Sequence, residues 1–191
     1  MKKVLAMLLA VMMVFALSAT AFANDAVSEE DMGFTEIPIF EDEECEFMNV
    51  SAVYFQPVPM SGGYEDIEGY DMHLEADIHG LENAADYGFE FGGWIPYLTV
   101  DFEILNEAGE IVAEGTFMPM SADDGPHYGA NIKLAEAGTY TLRFLIHNPG
   151  ENGYLVHLDK GETGPAENFE DLFANGPLVA TGTWDYFPQE W

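Results

Sequence analysis

From Asn49 onward, apolar and polar positions alternate in short runs bounded by turn-forming residues, the period expected of strands with one face inward. The pattern predicts strands over Asn49 to Pro57, Asp71 to His79, Trp94 to Leu105, Ile111 to Met120, Thr139 to Ile146 and Leu178 to Tyr186. Helical periodicity is confined to Ala166 to Ala174, where Gly176-Pro177 ends a short helix. Turn signals at Asn106-Glu107-Ala108-Gly109, Asp123-Asp124-Gly125-Pro126 and Asn148-Pro149-Gly150 separate the runs. Six or more strands joined in this way predict an all-β domain built as an antiparallel β-sandwich. Within it, Tyr140, Leu142, Phe144 and Ile146 share one strand face. The Gly138-Thr139-Tyr140-Thr141-Leu142 opening matches immunoglobulin-like sandwiches, in which a tyrosine anchors the corner leading into a late strand.

The first 23 residues follow another pattern. Lys2 and Lys3 precede an apolar run from Val4 to Leu17, and Ala21-Phe22-Ala23 supplies a small-residue cleavage site. That order is the order of a secretory signal peptide, and the run is shorter than the ~20 residues of a membrane span. Residues 1–23 are therefore expected to be removed, residues 24–33 to form a flexible acidic leader, and residues 34–191 to fold. The mature protein is expected in the periplasm or secreted, without stable membrane insertion.

Charge narrows the partners. The chain of 191 residues holds 35 Asp and Glu against 5 Lys and Arg, a formal charge of -30. Loss of Lys2 and Lys3 with the signal leaves -32 on the mature chain. Nucleic acid and anionic lipid are repelled by such a surface, whereas cations and basic surfaces are attracted. With 48% hydrophobic and 14% aromatic residues the chain is not a disordered acidic tail. Cys45, the single cysteine, has no internal disulfide partner. Anionic neighbours from Glu41 to Glu46 are expected to raise its pKa and leave it a bystander.

Candidate chemistry gathers in two segments. Read as a strand, Asp71 to His79 directs Leu74, Ala76 and Ile78 to one face and His73, Glu75, Asp77 and His79 to the other. Two imidazoles and two carboxylates in line are either metal ligands or a solvated strand face. In the second segment, Met118-Pro119-Met120 is followed by an Asp-Gly-Pro turn and then His127. Thioether with imidazole suits copper, although methionine is commonly core filler and Met118 reads as such. The remaining histidines are His147, which reads as a turn residue, and His157. No Gly-x-Ser-x-Gly elbow, phosphate loop or His-Glu-x-x-His motif occurs, and no enzyme is read.

Four ordered blocks carry a resemblance: His73 to His79, Trp94 to Thr99, Gly115 to Met120 and Gly125 to Lys133. They closely resemble the bacterial periplasmic iron-transport proteins that accompany an inner-membrane iron permease, and the likeness covers nearly all of the mature chain. The resemblance implies an immunoglobulin-like homodimer with a copper site near the subunit interface and a neighbouring site for iron. By motif it implies His73, Met120 and His127 as copper ligands and His157 as a further histidine reaching a site shared between subunits. Glu75 matches the carboxylate tied to the harder metal, with Asp124 as a supporting group. Copper and iron are then the metals it binds, with iron as cargo and copper as either cofactor or cargo. The competing reading is a secreted β-sandwich adhesion or host-protein-binding module whose anionic surface steers basic partners.

Overall fold

Alternation places each strand's apolar residues on one side, and burying those sides together produces two facing layers. The computed structural model describes residues 35–191; the signal-peptide and leader readings lie outside them. Among the described residues the strands are β1 (Ile37–Cys45), β2 (Met48–Phe55), β3 (Met72–Gly80), β4 (Val100–Leu105), β5 (Ile111–Thr116), β6 (Met118–Ser121), β7 (Pro126–Ile132), β8 (Gly138–Ile146) and β9 (Leu178–Tyr186). One sheet has the order β1-β2-β3-β7-β6 and the other β5-β4-β8-β9, with antiparallel ladders throughout. Leu74, Ala76 and Ile78 from β3 meet Val100, Phe102 and Ile104 from β4 and Leu142, Phe144 and Ile146 from β8 in one core. This is the expected immunoglobulin-like sandwich.

Five elements differ from the sequence expectation, each for a local reason. Strand β1 coincides with the acidic run and was not predicted, because charge there masks the period. It is an edge strand with two register shifts and Asp42 at φ 55, and its outward carboxylates discourage pairing with another chain. The strand expected from Trp94 begins only at Val100. Pro96 lacks a donor and Tyr97 takes φ 65, so that stretch is held instead by the buried Tyr128 hydroxyl, which donates to the Ile95 carbonyl at 2.8 Å and accepts from Leu98 N–H at 3.0 Å. The helix expected over Ala166 to Ala174 is only a 3-10 turn, Phe169–Asp171. A segment that short cannot offset helix nucleation, and Phe169 is anchored by tilted ring contacts with Phe89 and Tyr154.

The fourth difference positions the site. The run Ile111 to Met120 is two strands: β5 pairs with β4, Phe117 N–H bonds the Val100 carbonyl at 2.9 Å, and the chain then crosses to the other sheet as β6. Pro119 is tolerated because β6 is an edge. The segment from Pro126, expected only as a turn with a histidine after it, is the full strand β7.

Cys45 is buried, and its thiol is pushed up to about 11, by burial first and then by Glu46 and Glu43. Tyr140 fulfils the corner expectation: its hydroxyl donates to the Glu136 carbonyl, four residues upstream, at 3.0 Å. Tyr140→Phe should therefore lower stability by about 1 kcal/mol, read as a shift in urea midpoint at constant slope; an unchanged midpoint would show that the corner bond is replaced by water at no cost.

Candidate metal centre

The sheet face turned away from the core is normally wet, but part of it here is not. In β3, His73 and Glu75 point opposite to Leu74 and Ala76, yet His73 is 0% and Glu75 3% exposed. Strand β7 lies beside β3 with His73 opposite Asn131 and Glu75 opposite Gly129. His127, Gly129 and Asn131 therefore share that outer face, while Tyr128 points inward. Strand β6 adds Met120 directly opposite His127, on the same face and half-buried.

Donor atoms of His73, Glu75 and His127 lie within 4.8 Å of one another. Glu75 Oε1 is 3.0 Å from His127 Nε2 and 3.3 Å from His73 Nε2. His73 Nε2 is buried without a hydrogen-bond partner. A Cβ placed on Gly129 would lie 2.8 Å from that nitrogen and 3.1 Å from the Leu74 carbonyl, so only glycine leaves the space beside it free. An orphaned imidazole nitrogen, a facing carboxylate oxygen and a side chain reduced to hydrogen together form a pocket that a cation fits. A metal there would accept both imidazole lone pairs and a carboxylate oxygen.

Electrostatics agree with the geometry. Burial works to raise the Glu75 carboxyl, but the His127 and His73 imidazoles outweigh it and hold the group at about 2. For His127, burial works to lower the pKa, and the hydrogen bond and charge of Glu75, with Asp77 and Asp124 behind it, raise it overall. Two more carboxyls respond to the same crowd. Asp77 and Glu36 are both raised, by burial and then by Glu75, with Asp124 contributing to each.

Of the five residues expected as ligands, the structure brings His73, Glu75 and His127 into one buried group and sets Met120 on its face. Asp124 is exposed in the β6–β7 turn, where its charge reaches His127. His157 is not in the group; it is exposed on the β8–β9 connection, with Nδ1 3.0 Å from Thr163 Oγ1. The solvated-face reading fails for His73 and Glu75, whereas Asp77 and His79 are half-buried. Sequence reasoning missed Gly129, Asn131 and Glu36. Had Pro126 to Ile132 been read as a strand, period two from His127 would have marked the first two.

Comparison with known proteins places this arrangement in context. The chain is 42% identical over 168 residues to the 34 kDa membrane antigen of Treponema pallidum, covering 86% of this chain and 78% of the antigen. A UPF0423 protein of Brucella abortus is 39% identical over 153 residues, 78% of this chain and 83% of that one. Among solved structures, uropathogenic E. coli FetP, recombinantly expressed in the E. coli periplasm, superposes with a TM-score of 0.72 at 40% identity, covering 83% of this chain and all of that one. Copper-reconstituted P19 from Campylobacter jejuni gives 0.71 at 40% identity, covering 82% and 99%. Residues 33–181, which include the whole of the buried group, match the Fe2+ transport protein family, and the chain belongs to that family.

Proposed function

We propose that this is an exported metal-binding protein of an iron-uptake system that holds copper through His73, His127 and Met120 and iron at an adjacent carboxylate site, and delivers iron to an inner-membrane permease. The observation that carries the reading is the buried His73–Glu75–His127 group, with one imidazole nitrogen left unpartnered. Copper-bound structures of the related P19 and FetP support copper as the metal. Imidazole and thioether suit copper in either oxidation state, and Glu75 supported by Asp124 offers the oxygen donors that iron prefers. A homodimer completes the reading, with His157 of each copy free to serve its neighbour; His157 is exposed and tied only to Thr163. Residues 1–23 act as the signal that takes the chain to the periplasm, where no membrane-crossing helix is needed, and none occurs among the described residues.

The purified mature protein should bind about one copper per subunit, and His127→Ala should remove most of it; undiminished copper by elemental analysis in that variant sinks the assignment. Gly129→Ala should also cut copper uptake, because its methyl group meets His73 Nε2 while the rest of β7 is untouched.

Proton competition gives a further expectation. Copper must displace the proton that Glu75 favours on His127, so apparent affinity should rise with pH up to the raised His127 value and fall by about tenfold per unit below it. The metal-free fold responds on both flanks. Glu75, depressed to about 2, contributes stability that is present above its ordinary 4.5 and lost as pH falls toward 2. His127, raised, contributes stability that is present below 6.5 and lost as pH rises through its elevated value. The melting-temperature difference between wild type and Glu75→Gln, measured in chelator, should therefore peak between about pH 4.5 and 6.5. A difference that grows steadily into alkaline pH contradicts this pairing.

A further inference from the structure

A neutral imidazole carries its proton on one nitrogen or the other, and only the bare one can take a metal. At His73 the choice is made by Asn131. The Asn131 amide faces the Val58 backbone with two bonds: Nδ2 donates to the Val58 carbonyl at 2.7 Å, and Oδ1 accepts from Val58 N–H at 3.2 Å. Turning the amide over would oppose donor to donor and acceptor to acceptor, so the Val58 peptide fixes which end is oxygen. That oxygen lies 2.8 Å from His73 Nδ1. A carboxamide oxygen only accepts, and Nδ1 must therefore hold the hydrogen. In the neutral ring the bare nitrogen is then Nε2, the atom that is buried without a hydrogen-bond partner, 3.3 Å from Glu75 Oε1 and beside the space Gly129 leaves. The Phe55 ring, with its centroid 5.3 Å from that of His73, packs against the imidazole.

We propose that Asn131 is the positioning residue of this centre: it locks His73 in the Nδ1–H form, commits Nε2 to the metal, and ties that choice to the segment after β2 through Val58. The inference rests on the metal-site reading above. Asn131 touches no metal in this scheme and acts only through His73. Outer partners that orient a ligating histidine in this way change metal affinity by about 10- to 100-fold when removed.

Two substitutions separate the orienting role from the loop contact. Asn131→Asp keeps an oxygen for His73 Nδ1 but loses donation to the Val58 carbonyl; Asn131→Leu keeps the bulk and loses both. Long-range 1H–15N correlation spectra of metal-free protein report the tautomer directly, and a Cu2+ titration reports affinity. Wild type and Asn131→Asp should show the Nδ1–H form and affinities within a few-fold of each other. Asn131→Leu should show a mixed or reversed tautomer and lose about 10- to 100-fold in affinity. If Asn131→Leu does not fold, the wild-type spectrum still decides, because an Nε2–H form there overturns the proposal whether or not copper binds. It is equally overturned if Asn131→Leu keeps both tautomer and affinity, or if Asn131→Asp falls as far as Asn131→Leu with its tautomer intact. Wild-type protein with the Nδ1–H form that takes up no copper refutes the metal reading and leaves the Asn131 assignment standing.

Discussion

A carboxylate taken out of water must be answered by positive charge or by hydrogen bonds, and the partners available to Glu75 are few. The described residues contain three bases. Arg143 pairs with Glu103 at 3.1 Å, Lys160 with Glu167 at 3.5 Å, and Lys133 lies over the Tyr70 ring. Each is engaged elsewhere, so the cationic answer to Glu75 comes from imidazole, or from a metal that imidazole shares with it. His73 comes from the same strand, and His127 from the strand paired with it. Register between β3 and β7 is thus fixed by charge on the outer face as well as by apolar burial on the inner one, since a slip of one residue would bring Tyr128 out and His127 into the core.

The same register explains the smaller residues around the centre. Gly129 is directly opposite Glu75, and its missing side chain leaves the approach to His73 Nε2 open. Asn131 is directly opposite His73, close enough for its amide to reach Nδ1. Along β7, then, the three consecutive outward positions are an imidazole 3.0 Å from Glu75, a gap beside His73 Nε2 and an amide oxygen on His73 Nδ1. The inward residue between the first two, Tyr128, holds Ile95 and Leu98 with its hydroxyl, and burial pushes that hydroxyl up to about 12. One strand therefore shapes the outer site and secures the irregular stretch before β4.

Much of this was legible in the sequence, and what was not has identifiable causes. The sandwich followed from alternation and the tyrosine corner from a five-residue pattern; strand spacing put His73 and Glu75 on one face, but their roles, and that of His127 beyond the turn, rested on the resemblance. Burial of the outer face did not follow, because a strand with donors at alternate positions looks the same whether water or a neighbouring strand covers it. Strand β7 was hidden for a related reason: His127, Gly129 and Asn131 are not apolar, so its outward positions resemble a loop. The acidic run concealed β1 in the same way. His157 is the expected ligand that lies outside the buried group: it is exposed, with Nδ1 3.0 Å from Thr163 Oγ1.

Net charge and selectivity are separate matters in this molecule. An excess of thirty negative charges concentrates any cation near the surface, hard or soft, and discriminates weakly. On the proposed reading, discrimination belongs to the donor set of the buried group rather than to the surface. Around Glu75, which is held ionised, Asp77 and Glu36 are shifted the other way, by burial first and then by the charge of Glu75 beside them. On the proposed reading, a divalent ion there would relieve that repulsion and take up the buried His73 nitrogen that has no hydrogen-bond partner. The anionic surface can supply the encounter; on the proposed reading, retention rests with the three buried donors that the register of β3 and β7 brings together.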